Sequence, residues 1–204
     1  VKAKVERHGS ERGGWNIASG TLNADSIVYS VGIGEDASFD LSIIKSYNCS
    51  VFAFDPTPRV AGWVEKNICD RRFVFHRLGL SINDGEMSFF EPLNKDAISH
   101  TAVNLGNSTE VRVPCRTLES CMKIHGHDKI DLLKMDIEGF EYDVLDHLLL
   151  GHIRPKQLLV EFHHFFPQFG IQATEDMITK MESHGYRLFK VSDSFWEYSF
   201  LWTE

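Results

Sequence analysis

Short apolar runs alternate along the chain with stretches in which apolar residues recur every three to four positions, and this rhythm holds from about residue 26 to the end. Residues 26–31 (SIVYSV) read as a buried strand broken by Gly32-Ile33-Gly34. Phe39, Ile43 and Tyr47 then fall on one helical face, with Asp36 placed to cap its start. Residues 51–54 form a second strand, and Pro58 opens a helix carrying Val60, Trp63, Val64 and Ile68. Residues 73–78 and 87–90 are further strands, separated by the turn Asn83-Asp84-Gly85. After residue 110 the pattern predicts a strand at 111–113, a helix capped by Thr117, a strand at 130–135, a helix at 140–149 and a strand at 158–161. A helix over 174–184, closed by Gly185, leads to a terminal hairpin of 186–191 and 195–202.

Two segments break the rhythm. The first 24 residues are polar and glycine-bearing and read as an N-terminal arm. Residues 91–110 are polar and unpatterned, a length that in a compact domain marks a lid, a binding loop or else a disordered segment, with 93–107 expected to close over the acceptor.

Alternating strands and helices predict an α/β fold, a mostly parallel sheet with helices on both faces and an antiparallel C-terminal hairpin. At 204 residues the chain is long enough for one core, so residues 1–204 are read as a single domain. It begins at Val1 and not Met, which points to a piece of a longer chain with other domains fused to it. A net charge of −8 disfavours nucleic acid as a partner. No apolar run is long enough to span a bilayer, so the expectation is a soluble protein, cytoplasmic by default, with the secretory lumen left open. The four cysteines lack metal-like spacing and read as buried or half-buried thiols.

The chemistry concentrates at strand ends, where open α/β sheets bind ligands. Gly32-x-Gly34 lets backbone approach a cofactor closely, and Asp55, about twenty residues on at the next strand end, is placed to take both hydroxyls of a ribose. Nicotinamide cofactors and S-adenosylmethionine both present such a ribose. Glu35 and Asp36 would repel a pyrophosphate at the helix start, which favours the sulfonium cofactor. Asp136 and Glu138 stand two apart at a strand end, and Glu161 and His163 repeat the spacing at the next, so both pairs face one side if the backbone stays extended. These four are the candidate catalytic residues and a candidate site for Mg²⁺ or Mn²⁺. The structural alternatives are that Glu138 caps a helix or contacts the donor, and that His163 is a satisfied histidine in the aromatic run FHHFF. Phe162, Phe165, Phe166 and Phe169 read first as core and second as an acceptor pocket.

Six segments together resemble the FkbM-type methyltransferases: VYSVGIGEDASFD, FAFDPTP, LGLSINDGEMSFF, VPCRTLES, LLKMDIEGFEYDVL and LLVEFHH. DIEGFE is the most specific of them and the glycine loop the least. The resemblance implies a class I, Rossmann-like fold with seven strands, the last antiparallel, and S-adenosylmethionine-dependent transfer of methyl to a hydroxyl oxygen. It further implies a small-molecule or carbohydrate acceptor, with a sugar or glycan hydroxyl the first expectation. By the same resemblance Gly32, Gly34 and Glu35 line the methionine end, Asp55 holds the ribose, and Pro56 with Leu80 and Ser81 flanks the adenine. Asp136 is counted with both the donor-binding and the catalytic residues. The rival readings are a NAD(P)-dependent oxidoreductase using the same loop, and a non-catalytic domain that keeps the fold.

Overall fold

The computed structural model describes residues 2–90 and 110–203, so the expected lid at 93–107 lies outside the described residues. Its main sheet has seven strands: β3 (Ile27–Val31), β4 (Ser50–Phe54), β5 (Phe73–His76), β9 (Leu132–Met135), β10 (Gln157–Glu161), β11 (Tyr186–Val191) and β12 (Glu197–Trp202). They lie in the order β11-β12-β10-β9-β3-β4-β5. Only β12 runs against the others, pairing antiparallel with both β10 and β11. The terminal hairpin therefore inserts its second strand into the sheet and leaves β11 at the edge, and the last of the seven strands is the antiparallel one, as the resemblance implied.

Successive side chains on a strand point to opposite faces, and a sheet covered on both faces buries both sets. Leu132 and Leu133 show this directly. Leu132 packs with Val28, Val51 and Leu159 in one core, and Leu133 with Tyr29, Leu158 and Val160 in the other. The first core is closed by α1 (Ser38–Tyr47) and α2 (Pro58–Asn67); the second by α3 (Leu118–His125), α4 (Glu141–Leu150) and α5 (Ile171–Ser183). Thr117 accepts the Ser120 N–H at the start of α3, as its sequence position predicted.

A small second sheet of β6 (Gly79–Leu80), β7 (Gly85–Phe90) and β8 (Glu110–Arg116) stands beside the C-terminal end of β5. The expected N-terminal arm is instead a hairpin, β1 (Val5–His8) with β2 (Trp15–Ala18). Trp15, Ile17 and Leu22 are buried in the core under α1, and the Ala18 N–H donates to Gln157 Oε1 at 2.7 Å. Trp15, Ile17 and Leu22 stand among polar and glycine neighbours without a sustained period, which is why the segment read as an arm. All four cysteines are free, with Cys49, Cys115 and Cys121 buried and Cys69 exposed. Among the described residues no helix is long and apolar enough to cross a membrane.

Candidate active site

The loop after β3 is held from below. Gly32 has φ +72°, and a Cβ built on it would stand 1.6 Å from the carbonyl oxygen of Asp136. No side chain fits there, so Gly32 is fixed by a backbone crossing. Gly34, at φ +56°, has open space where its Cβ would be. Its N–H donates to Asp55 Oδ2 at 3.1 Å, and the Thr57 N–H donates to Oδ1 at 2.9 Å. Buried Asp55 thus ties the glycine loop to the start of α2, and the carboxylate retains lone pairs for a further donor on each oxygen.

Between these groups and the small sheet opens a cleft of about 620 Å³, lined by Gly32, Gly34, Asp55, Pro56, Leu80, Phe89, Asp136 and Glu138 among others. Two expected lining residues stand aside from it. Glu35 forms a bidentate pair with Arg59 of α2, at 2.7 and 3.1 Å. Ser81 is buried with its hydroxyl against Met87 Sδ.

The segment after β9 is not extended. Glu138 has φ +55° and Gly139 φ +98°, so the chain turns sharply at the position where the sequence reading kept Asp136 and Glu138 on one side of a strand. A left-handed glutamate costs roughly 1–3 kcal/mol and needs support from its surroundings. Glu141 supplies it. Fully buried at the start of α4, its carboxylate accepts the N–H groups of Ile137 (2.9 Å) and Gly139 (3.0 Å) and the Nδ1 of His163 (2.8 Å). No side chain caps the start of α4, so Glu138 does not take the capping role considered for it, and Glu141 braces the preceding turn instead.

His163 is therefore gripped from both ends, since its Nε2 lies 3.3 Å from Glu138 Oε2 and 3.8 Å from Asp136 Oδ1. Burial opposes its charge, but the hydrogen bonds to Glu138 and Glu141 and the field of those carboxylates outweigh it and raise its pKa to about 11. That environment favours its imidazolium form. Burial pushes Asp136 up to about 6, with Lys134 and His163 restraining the rise and Glu138 and Glu141 adding to it. Glu161 is pushed up further, first by burial and then by the neighbouring Asp136. Asp136 and Glu161 titrate as an interacting pair.

Lys134 is the cation at the centre. It sits in the middle of the sheet, 5% exposed, 3.9 Å from Asp136 and over the ring of Trp15. Its Nζ donates to the carbonyls of Val31 and Gly32, so it also holds the glycine loop. Both Lys134 and Glu141 escaped the sequence reading, although a lysine inside the apolar strand LLKM was a visible anomaly. As to the candidate metal ligands, Asp136, Glu141 and His163 bring one ligand atom each within 4.8 Å of one another. Glu138 and Glu161 fall outside that trio.

The aromatic run divides. Phe162 is core, whereas Phe165 is 48% exposed near the ring of His163.

A family model described as the methyltransferase FkbM domain matches residues 27–188. The human probable methyltransferase-like protein 24 is 27% identical over 186 residues, covering 86% of this chain and 45% of that protein. Its rat counterpart is 29% identical over 173 residues, covering 79% of this chain and 42% of that one. The chain thus spans about half the length of these relatives. Among solved structures, the Methanococcus jannaschii fibrillarin pre-rRNA processing protein superposes with a TM-score of 0.52 at 11% identity, covering 88% of this chain and 67% of that one. This likeness is one of fold, the class I methyltransferase fold. The chain belongs to the FkbM methyltransferase family.

Proposed function

We propose that this FkbM family member is an S-adenosylmethionine-dependent O-methyltransferase whose acceptor is a hydroxyl of a sugar or glycan. The observation that supports it most is the joining of two half-sites in one cleft, the Gly32–Gly34–Asp55 cradle and the proton-accepting strand end at Asp136. The cradle fits the donor: open space over Gly34 admits a ligand against bare backbone, and Asp55 offers carboxylate lone pairs to a vicinal diol. When bound, S-adenosylmethionine would supply an electrophilic methyl whose bond to sulfur breaks as a bond to the acceptor oxygen forms, leaving S-adenosylhomocysteine.

The residues of the chain perform the remaining work. A sugar hydroxyl is a weak nucleophile until its proton is taken, and Asp136, raised toward neutrality and lining the cleft, takes it. Glu161 behind it keeps the proton affinity of the pair high. His163, Glu138 and Glu141 hold the turn and so orient Asp136, and Lys134 fixes the glycine loop relative to that base. Alignment of donor carbon and acceptor oxygen then provides most of the acceleration.

The test is a thermal-shift comparison of S-adenosylhomocysteine and NADH, followed by incubation with labelled S-adenosylmethionine and a glycan panel and location of the methyl by mass spectrometry. Stabilisation by S-adenosylhomocysteine alone and label on a hydroxyl oxygen are expected. Stabilisation by NADH, or label on nitrogen or carbon, would refute the proposal.

A further inference from the structure

The ligand-facing edge also carries aromatic rings that folding leaves exposed. Phe165, Phe195 and Trp196 are 48, 66 and 42% exposed. The rings of Phe165 and Trp196 lie 4.8 Å apart and tilted by 36°, and Phe166 packs edge-on against Phe165 at 5.0 Å. They belong to two segments, one following β10 and one preceding β12, which are tied where the Phe162 N–H donates to the Trp196 carbonyl at 2.9 Å. Phe195 adopts φ +62°, a conformation costly for a bulky residue. Neighbouring exposed rings held by a strained turn mark a binding surface more than a fold requirement.

The patch is continuous with the proton-accepting site. The His163 ring lies 5.4 Å from that of Phe165, and its Nε2 lies 3.8 Å from Asp136. The surrounding charge is mostly acidic. Glu161 faces Glu197 across the β10–β12 ladder, Asp136 and Glu138 stand beside His163, and Lys190 is paired with Asp193 at 4.0 Å.

We propose that Phe165 and Trp196 are the stacking platform that receives the ring of the acceptor, a neutral pyranose, resting on the methyl-transfer reading above. A pyranose offers C–H faces to aromatic rings, and its hydroxyls donate to carboxylates such as Glu161 and Asp136. A nucleotide would stack as well, but it brings phosphate into an acidic rim. Stacking on Phe165 and Trp196 sets the sugar beside the base and leaves donor binding to the Gly34–Asp55 side.

The test is saturation-transfer difference NMR with methyl β-glucoside, β-galactoside, α-mannoside and N-acetyl-β-glucosaminide, with phenol and uridine monophosphate as controls. Each is measured with and without S-adenosylhomocysteine, so that the platform result stands apart from the donor result. Saturation of ring C–H protons in at least one pyranoside is expected, about ten-fold weaker affinity in the double variant Phe165→Ala/Trp196→Ala, and unchanged S-adenosylhomocysteine affinity by calorimetry. Circular dichroism and Trp196→Phe, which keeps a ring and should retain most of the signal, control for misfolding. The platform is refuted if no pyranoside is saturated, if the double variant binds the pyranoside with the parental affinity, or if only phenol or the nucleotide responds. Failure of S-adenosylhomocysteine to bind the parental protein would count against the donor reading alone.

Discussion

His163 Nδ1 lies 2.8 Å from Glu141 Oε1, both side chains almost wholly buried, so a charged pair sits inside the turn that presents Asp136. Removing one member of such a pair leaves an uncompensated buried charge. Glu141→Ala also strands the N–H groups of Ile137 and Gly139. It should lower unfolding free energy by about 3 kcal/mol or more in urea titration, a loss typical of broken buried pairs. The folded pKa of His163, about 11, is raised above its ordinary 6.5. Its stabilisation is therefore complete below pH 6.5 and is lost as pH rises toward 11. His163→Gln should flatten the alkaline side of the stability curve.

The two glycines of the loop should respond differently to the same methyl group. Gly32→Ala drives a Cβ into the Asp136 carbonyl and should prevent stable folding. Gly34→Ala meets only open space, so its left-handed backbone costs roughly 1–2 kcal/mol of stability. Its methyl fills the cradle, and affinity for S-adenosylhomocysteine should fall while the folded spectrum is kept.

Much of this site was legible beforehand because local rules govern it. A glycine pair after an apolar strand and an acid at the next strand end follow from backbone access and strand length, and both lie where expected. The extended backbone expected from Asp136 to Glu138 does not occur, since φ at Glu138 depends on Glu141 and His163, which meet only in three dimensions, yet both carboxylates still line the cleft and approach His163. Lys134 was hidden for a related reason. Its neighbours, the carbonyls of Val31 and Gly32, are about a hundred residues away in sequence.

Activity should rise with pH through an acid limb near 6, the value of Asp136 in the Asp136–Glu161 pair. Lys134 lowers the proton affinity of both carboxylates. Lys134→Met should accordingly move that limb to higher pH, with a readout separate from any loss of stability. The raised pKa of Asp136 means that the fold favours its protonated form, so its contribution is present below its ordinary value of 3.8 and is lost as pH rises through about 6. Asp136→Asn should thus gain stability relative to the parent at pH 8 compared with pH 3. A limb that stays in place in Lys134→Met would remove the lysine from the tuning of the base.

Turnover should vanish in Asp136→Asn, because the amide keeps the shape but cannot take the proton. Donor affinity should change little. Treatment with EDTA should leave parental activity intact, since the hydrogen bonds to Glu138 and Glu141 favour the protonated form of His163, one of the three ligand residues that come together among the described residues. Loss of activity with EDTA and recovery with Mg²⁺ would contradict this assignment.

The claim on which the rest depends is that the cleft between Gly34 and Asp55 holds the methyl donor. Isothermal titration calorimetry of S-adenosylhomocysteine with the parental protein and with Asp55→Ala tests it directly. One bound equivalent is expected in the parent, with affinity reduced by roughly 1.5–3 kcal/mol in the variant, the worth of hydrogen bonds to a charged group. Equal affinity in the two proteins would place the donor elsewhere and contradict the account.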